Sequence, residues 1–137
     1  MDAMSAELQD RARPVLERLA EAWDEPRVRE LDVAVSSRMV TSLGRAYLES
    51  ARVRVAAPLV RSRHLPEVLA HEAAHIVVHW RHGRVRPHGR EWRTLLQSAG
   101  ERARVRLDPV DVKLPQRRRR RRRSRLALAR AFLRSLL

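Results

Sequence analysis

Cysteine is absent from the 137 residues, and lysine, tyrosine and phenylalanine each occur once. Without cysteine the chain can form no disulfide, no Cys-ligated zinc ribbon and no thiol nucleophile. No apolar run approaches the about 20 residues that a membrane-spanning helix needs. The first residues, Met1 to Glu7, lack the basic-then-apolar order of a secretory signal. A reducing, cytoplasmic location fits these absences, and metal chemistry through histidine and carboxylate side chains remains open.

Positive charge is concentrated at one end of the chain. Of the net charge of +14, eleven charges lie in residues 113–137, which contain no acid, and +3 is left for residues 1–112. We therefore predict a folded domain over 1–112, an Arg-rich linker without fixed structure over 113–123, and a basic amphipathic helix over 124–137.

The basic tail suits several partners. The run from Arg117 to Arg123 favours nucleic acid, which such a run binds through counterion release. An anionic membrane surface, an acidic protein and a solvated tail with no dedicated partner are the alternatives. The helix over 124–137 is expected either to lie on a membrane surface or to pack against the domain or a second copy.

The apolar pattern of residues 1–112 predicts an α+β domain. Apolar residues recur at helical spacing from Leu8 to Trp23, and Pro14 is where we expect a break or a late start. Three short strands are predicted over residues 31–35, 44–49 and 53–55, further helices over 66–82 and 89–100, and an extended stretch over 104–112. Because the three strands follow one another without a helix between them, they favour an antiparallel meander over parallel βαβ units.

The segment most suited to metal chemistry is His71-Glu72-Ala73-Ala74-His75. Four residues are a little over one helical turn, so the two histidines project from one face about 6 Å apart and can reach one zinc ion. Glu72 lies too far round the helix to be a comfortable third ligand, and is placed instead to hold a water at the metal. A His-rich structural helix with a coincidental glutamate is the alternative.

A catalytic zinc needs a third protein ligand and an open fourth position. His64, His79, His82 and His88 are the candidates. His79 extends the face of the first two histidines, but three ligands in a row on a straight helix span about 12 Å and cannot converge on one ion. His88 follows the break at Gly83, where the chain can fold back, and we favour it.

These residues resemble the SprT-like zinc metalloprotease domain, the Spartan-related family. The resemblance rests on His71-Glu72-Ala73-Ala74-His75 and on the later segment His88-Gly89-Arg90-Glu91-Trp92. It implies zinc as cofactor with ligands His71, His75 and His88, Glu72 as the catalytic acid and base, and a small zincin-like fold of helices around a short, mostly antiparallel three-stranded sheet. Many bacterial members of the family carry a C-terminal zinc ribbon built on cysteine pairs. Because this sequence has no cysteine, we expect the arginine-rich tail in place of that module.

Two functions follow as hypotheses. The first is a zinc metallopeptidase that hydrolyses peptide bonds through a metal-activated water with Glu72 as general base, acting on protein or peptide substrates associated with nucleic acid. The second is a nucleic-acid-binding protein whose zinc site is structural or degenerate. Tyr47, the only tyrosine, and several arginines are candidates to stabilise the oxyanion, and Glu91 is a candidate to orient a ligand histidine.

Overall fold

The computed structural model describes residues 2–39 and 42–106, together with residues 112 and 114. Its helices and strands, in chain order, are α1 Ala3–Ala22, β1 Asp32–Ser36, β2 Gly44–Tyr47, β3 Arg52–Ala56, α2 Leu65–His82 and α3 Arg90–Ser98. Short 3₁₀ helices cover Pro26–Glu30 and Ala57–Leu59. The predicted small α+β domain is confirmed.

Local sequence signals explain where the helices begin and end. The Asp2 side chain accepts a hydrogen bond from the Ser5 amide at 2.7 Å and caps α1. Pro66 lies in the first turn of α2, and Gly83, with φ of 69°, ends it. Helix α1 runs through Pro14 without the expected break, since buried residues on both sides, among them Ala12 and Val15, hold it against the core.

The sheet is mixed, and this corrects the predicted antiparallel meander. The strand order is β1-β3-β2. Strand β1 pairs with β3 in parallel, from Asp32↔Arg52 to Ser36↔Ala56, whereas β2 pairs with β3 antiparallel. The alternation of apolar residues is the same in parallel and antiparallel strands, so it could not reveal that β3 would insert between its two predecessors.

One apolar core lies between the sheet and the helices. Val33, Val53 and Val55 point into it from the strands and are at most 2% exposed. Helix α1 packs against β1, while α2 packs against β2 and β3. Nine of the ten buried residues of α2 are apolar and belong to this core. The tenth is Glu72, which lies next to Gly44 of the edge strand β2.

Several sequence predictions fall outside the described part of the chain. They include the linker over 113–123 apart from residue 114, the helix over 124–137 and most of the extended stretch over 104–112. The described residues of that stretch, 104–106 and 112, are not in a strand. Within the described ranges, no helix is long and apolar enough to cross a membrane.

Candidate metal centre

Three histidine rings converge beside the middle of α2. His71 and His75 are one turn apart on that helix, and His88 reaches them from the turn before α3. The Nε2 atom of His88 is 3.1 Å from the Nε2 atoms of both other histidines. Two nitrogens bound to one tetrahedral zinc lie about 3.3 Å apart, given Zn–N bonds of about 2.0–2.1 Å. The spacing of the three donor atoms therefore fits a single ion.

A strained turn delivers His88 to the other two rings. His88 has a φ of 57°, in the left-handed region that side chains rarely adopt. The Gly89 amide donates to the Arg86 carbonyl at 3.1 Å, and Arg93 Nε donates to the His88 carbonyl at 3.2 Å. A Cβ on Gly89 would lie 2.9 Å from the Arg86 carbonyl oxygen, which explains why glycine follows His88.

The electrostatics of the three rings suit metal binding. Burial lowers the pKa of His71 to about 4, assisted by the neighbouring His88. Burial lowers the pKa of His75 to about 4 as well, assisted by His71 and His88. The pKa of His88 is lowered by burial and by the charge of Arg93. At neutral pH the rings are thus uncharged, and each has a lone pair to offer a cation.

Trp92 forms the floor beneath all three imidazoles. Its ring stacks on His75 with a centroid distance of 5.5 Å and meets His71 and His88 edge to face at 4.7 and 4.6 Å. The indole N–H donates to the His71 carbonyl at 3.2 Å. Trp92 is 1% exposed and belongs to the core, and its contact with every histidine of the cluster could not be foreseen from the sequence.

Glu72 is buried between α2 and the edge strand. Its carboxyl Oε1 lies 3.9 Å from His71 Nε2. Burial raises the pKa of Glu72 to about 7, although a hydrogen bond with the Ala46 backbone and the charge of Arg45 act in the opposite direction. The side chain therefore changes its protonation state near neutral pH, which is the property that an acid and base in catalysis requires.

Gly44 allows the edge strand to approach Glu72 this closely. A Cβ at this position would lie 2.8 Å from Val68 Cγ1 and 3.1 Å from Glu72 Cγ. Only glycine fits without displacing one of these side chains. A glycine within a strand pattern is the sequence signal from which such a close approach can be predicted.

The segment after α3 supports the cluster from a second side. Arg104 donates two hydrogen bonds of 2.9 Å to the Glu67 carboxylate in the first turn of α2. The His71 ring has a hydrogen bond with the Arg104 backbone that acts to raise its pKa, as expected when a ring N–H donates to a carbonyl. Since His71 Nε2 faces His88, this bond leaves Nε2 as the metal-facing nitrogen.

A cleft of about 680 Å³ opens over the three histidines and Glu72. Strand β2 forms one wall, and Val105 and Arg106 of the segment after α3 contribute another part of the lining. Besides Glu72, the charged residues of the cleft lining are Arg45 and Arg106, and Tyr47 does not belong to the described lining. The two arginines therefore line the cleft, whereas Tyr47 does not.

The remaining candidates lie apart from the cluster. Among the described residues, the only group of three side chains close enough to hold a metal consists of His71, His75 and His88, whose ligand atoms lie within 4.8 Å of one another. His79 Nδ1 is buried and has no hydrogen-bond partner in the described part of the chain. Glu91 lies in the first turn of α3, and no hydrogen bond joins it to a histidine in the described ranges.

Three convergent imidazoles on a small α+β domain define a candidate metal-binding protein. The sequence model of the SprT-like family matches residues 12–115, so the chain belongs to the SprT-like family. Protein SprT of Vibrio parahaemolyticus is 43% identical over 58 residues, which are 40% of this chain and 35% of the relative.

Other relatives with the same name give a similar result. Protein SprT of Yersinia enterocolitica is 43% identical over 60 residues, covering 42% of this chain and 35% of the relative. That of Escherichia coli is 44% identical over 62 residues, covering 42% and 37%. The chain thus spans little more than a third of the length of these relatives. No solved structure matches it.

Proposed function

We propose that this protein is a zinc-dependent metallopeptidase. The observation that supports the proposal most strongly is the convergence of His71, His75 and His88 within 4.8 Å, next to the buried Glu72. Membership of the SprT-like family adds to it. We infer that the three histidines hold the ion, because three neutral imidazoles are a donor set that zinc favours.

Zinc bound there would supply Lewis acidity, which polarises a peptide carbonyl and makes a water molecule more acidic. The protein's own contribution is to bind, orient and move a proton. Glu72, the buried carboxyl next to the histidines, accepts a proton from the attacking water. The same carboxyl then gives that proton to the leaving nitrogen of the substrate. The Ala46 backbone holds the carboxyl in place between these transfers.

The edge strand gives a peptide substrate somewhere to bind. Strand β2 is at the edge of the sheet and lines the cleft. An edge strand offers unpaired amide and carbonyl groups to an extended chain. A peptide that adds to this edge would lie over the histidines, with the bond to be cleaved near Glu72. Arg45 and Arg106 are the side chains of the cleft that we propose for the developing oxyanion.

Glu72→Gln tests the assigned role. The amide keeps the size of the side chain but cannot accept a proton, so we expect zinc content to stay at the native level while cleavage of an unfolded protein falls by about 10²-fold or more. The test is to measure zinc content and the initial cleavage rate on the same samples of the native protein and of Glu72→Gln. Arg102→Gln, on the exposed segment after α3, is the control and should keep both. Cleavage at the native rate by Glu72→Gln would show that another group is the base.

A second function is supported by the charge of the tail. Eleven positive charges without an acid in residues 113–137 favour association with nucleic acid. We propose that the tail brings the peptidase to proteins on nucleic acid. In the alternative, the protein binds nucleic acid and its zinc site is structural. Under that alternative, loss of zinc would unfold the domain, and the loaded protein would cleave nothing.

A further inference from the structure

A second cavity adjoins the metal-site cleft. It has a volume of about 310 Å³ and shares Leu48, His75 and His88 with the cleft. Its apolar lining consists of Leu48, Val78, Val85, Pro87 and Trp92. An occupant of this cavity would therefore touch two of the three histidines of the cluster and otherwise meet mainly hydrocarbon.

The inner wall of the cavity is held in place by the core. Trp92 and Val78 are 1% and 6% exposed. The Trp92 indole N–H donates to the His71 carbonyl at 3.2 Å, and its ring stacks on His75. These contacts fix the position of the wall relative to the metal centre, so the cavity and the ligand rings form one unit.

The outer wall is the turn between α2 and α3. Positive φ angles of 69° at Gly83 and 57° at His88 mark its two ends. Val85 and Pro87 project from this turn into the cavity lining. The same backbone conformation that carries His88 to the cluster thus also closes the cavity on its outer side.

Three charged residues line the cavity, Glu49, Arg84 and Arg86, and all three are exposed to solvent. Glu49 and Arg84 form an ion pair at 3.7 Å there, and both side chains are more than four-fifths exposed. Because this pair is solvated and neutralises itself, it does not favour an occupant of either sign. The rest of the lining is mostly apolar, with the rings of His75, His79 and His88 as its polar part, so a charged group that enters it would lose hydration with little compensation.

We propose that this cavity is a specificity pocket, which receives an apolar side chain of the substrate at the residue next to the cleaved bond. The inference rests on the proposed peptidase function. A side chain that touches both His75 and His88 has its backbone within about one residue of the bond presented to the metal centre. Leucine, methionine and phenylalanine fit this volume, whereas aspartate and glycine gain nothing from it.

The test uses the full-length, zinc-loaded protein and peptides that differ at one position on either side of the cleaved bond. We expect a kcat/KM with Leu or Phe at one of these positions that is roughly tenfold or more above that with Gly, and the lowest value with Asp. Binding of the same peptides to zinc-loaded Glu72→Gln, measured by fluorescence anisotropy, should follow the same order.

Val85→Trp fills the pocket and keeps all three histidines. We expect native zinc content and a Leu-to-Gly ratio that falls towards one, because the large side chain no longer fits. The matched control is Val105→Trp, since Val105 lines the cleft but not this pocket. That variant is expected to change the rates for all peptides by a similar factor and to keep the ratio.

The outcomes separate the pocket from the peptidase function. If native protein cleaves peptides with a ratio near one at both positions, and Val85→Trp does not change it, the pocket is overturned while the peptidase stands. If no peptide is cleaved but Glu72→Gln still binds Leu peptides more tightly than Gly peptides, the pocket is supported and the peptidase proposal fails. Equal binding of all peptides overturns the pocket.

Discussion

At the scale of single residues, the opposite pKa shifts of Glu72 and the histidines determine how zinc binding should depend on pH. Burial lowers the pKa of His71 and His75 to about 4 and raises that of Glu72 to about 7. Protons therefore compete with a metal for these two rings only at acidic pH, well below the pH range in which a free histidine is protonated. Near neutral pH the group that changes charge is the carboxyl, whose ionisation adds a negative charge beside the site.

We predict that zinc affinity rises modestly from about pH 6 to 8, and falls steeply only below about pH 5. Competition with a chromogenic chelator at several pH values measures this. In Glu72→Gln the rise near neutrality should disappear, because the amide does not ionise, while the acid limb should remain. In that variant, a loss of zinc affinity just below pH 6.5 that is steeper than competition by a single proton at His88 allows would contradict the low pKa of the two helix histidines.

At the scale of elements, the segment after α3 is tied to the metal helix by one ion pair. Arg104 and Glu67 make two hydrogen bonds of 2.9 Å, and the Arg104 backbone meets the His71 ring. A pair this exposed contributes only about 0–1 kcal/mol to folding. Its greater effect is expected on metal binding, since groups that orient a ligand histidine change metal affinity by roughly 10–100-fold when removed.

Arg104→Ala should therefore lower zinc affinity by about tenfold while the melting temperature of the metal-free protein changes little. Isothermal titration and thermal unfolding measure the two quantities on the same samples. Arg102→Ala, two residues earlier and without an ion pair among the described residues, is the control and should leave affinity at the native value. Equal affinities in the two variants would remove the supporting role of this segment.

The helices and strands also show which features of the fold and the site could be predicted from the sequence. Pro66 and Gly83 act on their own backbone, so the bounds of α2 and the shared face of His71 and His75 could be predicted from local patterns. His88 could be favoured because Gly83 lets the chain fold back. The insertion of β3 between β1 and β2, and the pairing of Arg104 with Glu67 across 37 residues, depend on tertiary packing and leave no local pattern.

At the scale of the whole molecule, a nearly neutral domain is joined to a strongly basic tail. The tail lies largely outside the described residues, so its role remains a prediction from charge. Replacing Arg117 to Arg123 with glutamine keeps the length of the chain and removes seven charges. We predict that zinc content and basal cleavage stay at native levels, because the predicted metal ligands and Glu72 are unchanged, while affinity for DNA falls.

The salt dependence of DNA binding tests the same prediction. If the native tail contacts about six phosphates, the logarithm of the affinity should fall with the logarithm of the salt concentration with a slope of about −5, and the glutamine variant should show a much smaller slope. A flat response of the native protein would exclude nucleic acid as an electrostatic partner. Co-sedimentation with anionic vesicles, lost in the same variant, would instead favour a membrane surface.

The convergence of three imidazoles on one ion is tested most directly by zinc stoichiometry. Native protein purified with zinc present, and then dialysed, should contain one zinc per chain by elemental analysis. In His88→Ala the third donor is lost, and we expect the zinc content after the same dialysis to fall well below one. His82→Ala, which removes a histidine outside the cluster, should keep the native value. A full equivalent of tightly held zinc in His88→Ala would contradict the three-histidine centre.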